Sequence, residues 1–164
     1  MDKLWAPWRM QFIRAAREGE AKTCVFCQIR DATNDREALV LTRGKRCYVV
    51  LNKFPYINGH LLIVPNRHLA ELHDLTPDEQ TEMMSLLARS IQILREKIGA
   101  EGTNCGMNLG KVAGAGILDH LHLHAVPRWL GDTNFLPIIG NTRSLPEYIE
   151  ETYDRLVGGF TEGT

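Results

Sequence analysis

The 164-residue sequence contains no long apolar run, no repeat and no low-complexity stretch. No segment approaches the roughly 18–20 consecutive apolar residues that cross a bilayer, so no membrane partner is expected. The opening Met1-Asp2-Lys3-Leu4-Trp5-Ala6-Pro7-Trp8 has no apolar h-region. No export signal is therefore expected, and the cytoplasm is the expected compartment. Surplus charge is missing too: 19 Lys and Arg stand against 20 Asp and Glu, a formal net charge of -1. That excludes a broad basic footprint, so no nucleic-acid partner is expected, although a local cluster could still bind phosphate. Cysteines number only four, and in a reducing compartment they read as metal or redox chemistry rather than as staples. The remainder is 44% hydrophobic and 24% charged, enough for one core, with or without attached arms.

Residues 1–23 mix Trp5, Trp8 and Phe12 with arginines and read as an arm with a short helix. On a helix, Trp5 and Trp8 would share one face and pack on the domain or on a partner subunit. After Cys24-Val25-Phe26-Cys27, the polar residues 30–37 read as a loop. Leu39–Thr42 and Cys47–Leu51 flank Arg43-Gly44-Lys45-Arg46, the pattern of a hairpin. Phe54–Gly59 is a turn-rich link into a buried strand, His60–Pro65. Thr76 followed by Pro77, Asp78 and Glu79 marks a helix start, with Thr76 as N-cap. Met83, Leu86, Leu87, Ile91, Leu94 and Ile98 then recur at helical spacing, and Gly99 ends the helix. A second β region runs from near Asn104 through the glycine-rich 110–116 to Arg128. A C-terminal helix is expected after Pro146 within a helical tail, 141–164. Strands, one long helix and strands again give an α+β fold on an antiparallel sheet.

The chemistry concentrates in His120-Leu121-His122-Leu123-His124, which holds three of the six histidines. Strand side chains alternate, so the three imidazoles share one face while Leu121, Leu123 and Ala125 turn into a core. The plainer alternative is a set of exposed or core-satisfied histidines. A neutral imidazole is a competent nucleophile at neutral pH, and a charged neighbour can donate to a phosphate oxygen. The glycine-rich segment just upstream lets backbone N–H groups approach an anion, although alone it signals no more than a turn. Cys24 and Cys27 form a Cys-x-x-Cys pair that reads as a zinc half-site, a redox pair or coincidence. The thioredoxin-like βαβ pattern of a redox pair is missing. Tetrahedral zinc needs two more ligands, and His68 and one triad histidine are available. Cys47 and Cys105 lie in apolar strands and read as buried thiols.

Four segments together resemble the histidine triad (HIT) superfamily of nucleotide hydrolases and transferases. They are Cys24–Cys27, Leu51–His60, Val64–His68 and His120–Arg128, the last ending Ala125-Val126-Pro127-Arg128. Within the superfamily the chain is similar to the branch that cleaves dinucleoside polyphosphates. It is more closely similar to diadenosine tetraphosphate phosphorylases of the fragile histidine triad type, through Leu4–Met10, Asn108-Leu109-Gly110 and Pro127–Phe135.

The resemblance implies a HIT-like fold over 24–140, a five-stranded antiparallel sheet with one long helix and a C-terminal helix, paired as a homodimer. It implies that His122 attacks the α-phosphorus to form a nucleotidyl-histidine intermediate, with His124 and His120 as the other catalytic triad members. His124 and His60 would contact phosphate oxygens or tune the nucleophile, Asn52 the ribose, and Asn108 the phosphate. Trp129 joins the expected substrate site. Structural zinc would sit on Cys24, Cys27, His68 and His120. Many relatives carry Gln or Ser four residues before the first triad histidine; here Gly116 stands there, and backbone N–H groups of Ala115 and Gly116 would substitute. An adenine dinucleotide is the implied substrate. Inorganic phosphate is the favoured acceptor, with water as the alternative acceptor, adenosine phosphoramidase as an alternative activity and nucleotide-binding signalling as a non-enzyme alternative.

Overall fold

The computed structural model describes residues 23–132 and 147–161. Residues 1–22, 133–146 and 162–164 lie outside them, so the expected arm helix and the expected boundary between 140 and 141 fall beyond the description. Helix α1 spans Val25–Asp31. It is followed by β1 (Val40–Arg43), β2 (Cys47–Leu51), β3 (Leu61–Pro65) and the long helix α2 (Pro77–Ile98). Then come β4 (Gly102–Gly106), β5 (Leu123–Arg128) and α3 (Ile149–Thr161). The five strands form one antiparallel sheet in the order β1-β2-β3-β5-β4.

Helix α2 begins as its sequence dictates. Thr76 accepts from the Glu79 N–H, and the Glu79 carboxylate accepts from the Thr76 N–H, closing a capping box around Pro77. Gly99 ends the helix in the left-handed region at φ 66°. Glu79 also takes a two-pronged ion pair from Arg67, at 2.7 and 2.8 Å. The start of α2 thus holds the chain beside His68.

The sheet separates two clusters. On one side Leu41, Cys47, Val49, Leu51, Leu61, Ile63, Leu123 and Ala125 pack with Met83, Leu87 and Leu94 of α2 and with Tyr153, Leu156 and Phe160 of α3. The two helices meet closely at Gly159, where a Cβ would lie 2.9 Å from the Ile93 side chain. Tyr153 donates to the Val40 carbonyl at 3.0 Å, tying α3 to the outer strand β1. On the other side Val40, Tyr48, Val50, Leu62 and Val64 pack with Phe26 of α1.

Three local expectations change. The first helix was missed, because Cys24–Asp31 is too short for helical periodicity to register. Cys105 is exposed rather than buried, since it lies on the outer strand β4. Of the triad, only His124 belongs to a regular strand; His120 lies in a bend, and Leu121 and His122 precede β5. Among the described residues no helix is long and apolar enough to cross a membrane.

Candidate active site and metal centre

Alternation decides where the histidines go. Leu121, Leu123 and Ala125 enter the helix-side core, so His120, His122 and His124 point the other way, towards α1. His60 joins them from the head of β3, because Leu62 of β3 pairs with His124 of β5. Gly59, buried at φ +78°, sets that approach. A Cβ there would meet Ile98 at 2.6 Å, so only glycine lets the Phe54–Gly59 link pass.

Each ring has a defined task in the hydrogen-bond network. The His122 Nδ1 lies 2.9 Å from the His120 carbonyl. A carbonyl only accepts, so Nδ1 carries the hydrogen and Nε2 keeps its lone pair. His122 is 7% exposed, with its ring against Phe26 at 4.9 Å between centroids. Burial holds its pKa below the ordinary histidine value, against the opposing bond to His120. The ring is therefore neutral, as a nucleophile must be.

His60 is fully buried. Its Nε2 lies 2.8 Å from the His124 Nδ1, and its Nδ1 lies 3.2 Å from both the Tyr56 N–H and the Asn52 amide. Burial first, then the neighbouring His124 and His122, pushes its pKa down to about 3. Tyr56 lies beside both rings, 4.7 Å from His60 and 6.0 Å from His124. Sequence reasoning gave no role to Tyr56 or Phe26; their signal is only their place beside the motif residues.

The other substrate candidates scatter. Gly106 pairs with His124 across β4 and β5, and a Cβ there would meet nothing within 4 Å. The ladder ends at that pair, and the half-buried Asn108 lies two residues beyond it. Beyond it, a short 3-10 turn at Lys111–Ala113 shapes the glycine-rich loop. The Ala115 N–H turns back to Gly110 at 3.4 Å. Gly116 is exposed, and Ile117 packs against the Phe26 cluster, which anchors the loop on the histidine side. Trp129 packs on the helix-side core, so the structure does not bring it to the histidines.

His120 turns away from the other two. The thiols of Cys24 and Cys27 stand 3.3 and 3.7 Å from its Nδ1, and Cys27 lies 3.5 Å from the His68 Nδ1. The four donor atoms all lie within 4.8 Å of one another. The His120 Nε2 donates to the Pro65 carbonyl at 2.9 Å, which leaves Nδ1 unprotonated and aimed at the thiols. Two cysteines and two histidines, with one ring already locked as a ligand, suit a metal ion. Burial raises the Cys24 thiol, a cost that a cation would offset by favouring the thiolate.

The sequence pattern of the HIT domain matches residues 33–129, more than half of the chain. An AP-4-A phosphorylase of Mycobacterium tuberculosis is 39% identical over 158 residues, covering 93% of this chain and 80% of that protein. A bis(5'-nucleosyl)-tetraphosphatase (asymmetrical) of Schizosaccharomyces pombe is 32% identical over 93 residues, 57% of this chain and 50% of its own length. The crystal structure of a Zn-bound histidine triad family protein from Mycobacterium smegmatis superposes with a TM-score of 0.69 at 28% identity. That match covers 85% of this chain and 94% of the other.

Proposed function

Because this chain belongs to the HIT domain family, we propose that it is an enzyme cleaving diadenosine polyphosphates at an α-phosphate, with His122 as nucleophile. One observation carries the assignment: the His122–His120 bond leaves a neutral ring with its Nε2 lone pair available. Attack forms an N–P bond as the bridging P–O bond breaks. From diadenosine tetraphosphate, ATP departs and AMP stays on His122. Phosphate then attacks the same phosphorus, the N–P bond breaks, and ADP is released. In this reading His124 contacts the phosphate oxygens, with Asn108 and the Gly116 backbone as further phosphate contacts.

Phosphate is the favoured acceptor on the likeness to the AP-4-A phosphorylase, which spans nearly the whole chain. Water is the rival, favoured by Gly116, which offers no side chain to the transferring group. Incubation with diadenosine tetraphosphate, with and without phosphate, decides between them. ATP plus ADP, formed only with phosphate, supports the phosphorylase. ATP plus AMP regardless of phosphate makes the protein a hydrolase, and no products rejects the substrate.

Cys24, Cys27, His68 and His120 hold a structural zinc in this reading. Tetrahedral zinc with bonds of about 2.3 Å to sulfur and 2.0–2.1 Å to nitrogen sets sulfur and nitrogen about 3.5 Å apart. The separations of 3.3, 3.5 and 3.7 Å bracket that value. All four corners are protein donors, so the ion would clamp α1 to the sheet without an open catalytic position. Metal analysis should find about one equivalent of zinc per chain. The outer strand β4, with Asn104, Cys105 and Gly106 exposed, supports a homodimer joined along that edge. The free thiols suit the cytoplasm as the site of action.

A further inference from the structure

The histidine side can place a phosphate, but the described residues around it offer little free positive charge. His60 is fully buried, and burial keeps its ring neutral at pH 7. The arginines on α1, after β3 and at the end of β5 are already paired: Arg30 with Asp31, Arg67 with Glu79 and Arg128 with Asp132. Every phosphate of a dinucleotide bridge carries negative charge, which a cation must meet. The loop from β4 to β5 holds one. Between Glu101 and Asp119, Lys111 is the only charged residue. It is exposed, and no hydrogen bond or ion pair engages its ammonium among the described residues. Lys53 is exposed too, but it follows Asn52, on the side that the resemblance gives to the ribose.

The loop is a built turn with both ends tied to the site. It leaves β4 at Gly106, opposite His124, and Met107 packs on the helix-side core. It returns through Ile117 to the cluster of Phe26, whose ring lies against His122. At its tip the Ala113 and Ala115 N–H groups donate to the Gly110 carbonyl, and the Gly114 N–H donates to that of Lys111. Gly110 and Gly114 bracket the tip at φ +80° and +85°. We propose that Lys111 binds the outer phosphates of the substrate bridge, those that depart with the leaving nucleotide, and so favours long bridges over short ones. The inference rests on the nucleotidyl-transfer reading of His122. The α-phosphate meets that nearly buried ring, whereas the exposed loop tip is left for phosphates farther along the bridge. Their charge hardly changes as the P–O bond breaks, so the contact acts on KM and leaves kcat alone.

Binding and turnover test this separately. Calorimetric titrations of the full chain use AMP and the α,β-methylene analogue of ATP, which cannot be cleaved at its α-phosphate. Lys111→Ala should weaken the analogue about fivefold or more and leave AMP within about twofold. Lys111→Arg should restore the analogue, and added salt should narrow the gap between Lys111→Ala and the parent. Lys45→Ala, an equal change of net charge on the β1–β2 turn, should leave both ligands within about twofold of the parent. In turnover, Lys111→Ala should raise KM for diadenosine tetraphosphate about fivefold at unchanged kcat, with diadenosine diphosphate within about twofold. Unchanged binding of the analogue, an equal loss for AMP, or an equal loss in Lys45→Ala overturns the proposal. So does a parent that holds the analogue no more tightly than AMP, or a matching KM rise for the short bridge. If the parent cleaves no dinucleotide, the reading of the reaction falls, and the titrations still decide on Lys111.

Discussion

On one side of the sheet, Cys47, Val49, Leu51, Leu61 and Ile63 pack against two helices; on the other, Tyr48, Val50, Leu62 and Val64 have the single short α1 and a row of imidazoles. The first side is stable through apolar area, a force without direction. The second buries His60, His120 and His122, groups that are costly to bury unless each polar atom finds a partner. Those partners are specific: the Pro65 and His120 carbonyls, the Tyr56 N–H and the Asn52 amide. Direction is what the second side gains from this. One side holds the fold, and the other aims nitrogen lone pairs and hydrogens.

The sharpest test of that division is His122→Asn. The amide can still donate to the His120 carbonyl, so the fold should persist while turnover drops roughly 10^3-fold or more. Single-turnover kinetics beside a thermal melt would check both halves, and parental turnover would remove His122 as nucleophile. Next in size, Leu94→Ala on the helix side should cost roughly 2–5 kcal/mol of stability. Leu94 is completely buried, yet kcat per folded molecule should not change. A matching fall in kcat would show that the two sides are not separable.

The smallest effect is a pH dependence confined to the histidine side. His60 has a folded pKa near 3, against about 6.5 in an unfolded chain. Between those values the unfolded chain binds a proton that the folded one refuses. The neutral ring's contribution is therefore complete above about pH 6.5 and is lost as pH falls towards 3, at up to roughly 1.4 kcal/mol per pH unit. Urea melts at pH 7 and pH 5 should show that loss, and His60→Gln should flatten it. A slope equal to the parent's would assign the dependence to other groups.

The sequence made the helix side legible because periodicity reports apolar burial. Thr76, Met83, Leu87, Leu94 and Gly99 stand where spacing and capping residues put them. Alternation likewise separated His120, His122 and His124 from Leu121 and Leu123. Other features have no period to read. The seven residues of α1 make barely two turns, and the exposure of Cys105 depends on β4 lying at the sheet edge rather than on any local pattern. Asn52, Tyr56 and His60 converge through two backbone N–H groups, which every residue but proline carries, so no side-chain code announces them. Trp129 read as a site residue from its motif, but chain direction beyond β5 turns it to the helix side.

The confinement of His122 has a stereochemical consequence. Phe26 flanks the ring and Nδ1 is occupied by the His120 carbonyl, so phosphorus can be bound at one nitrogen only. Displacement at phosphorus in line with the leaving group inverts its configuration each time. Arrival at and departure from that one nitrogen are two inversions, which cancel. With phosphate as acceptor, a dinucleotide made chiral by sulfur at the attacked phosphorus should therefore yield product of retained configuration at that phosphorus, whereas direct transfer to phosphate would invert it.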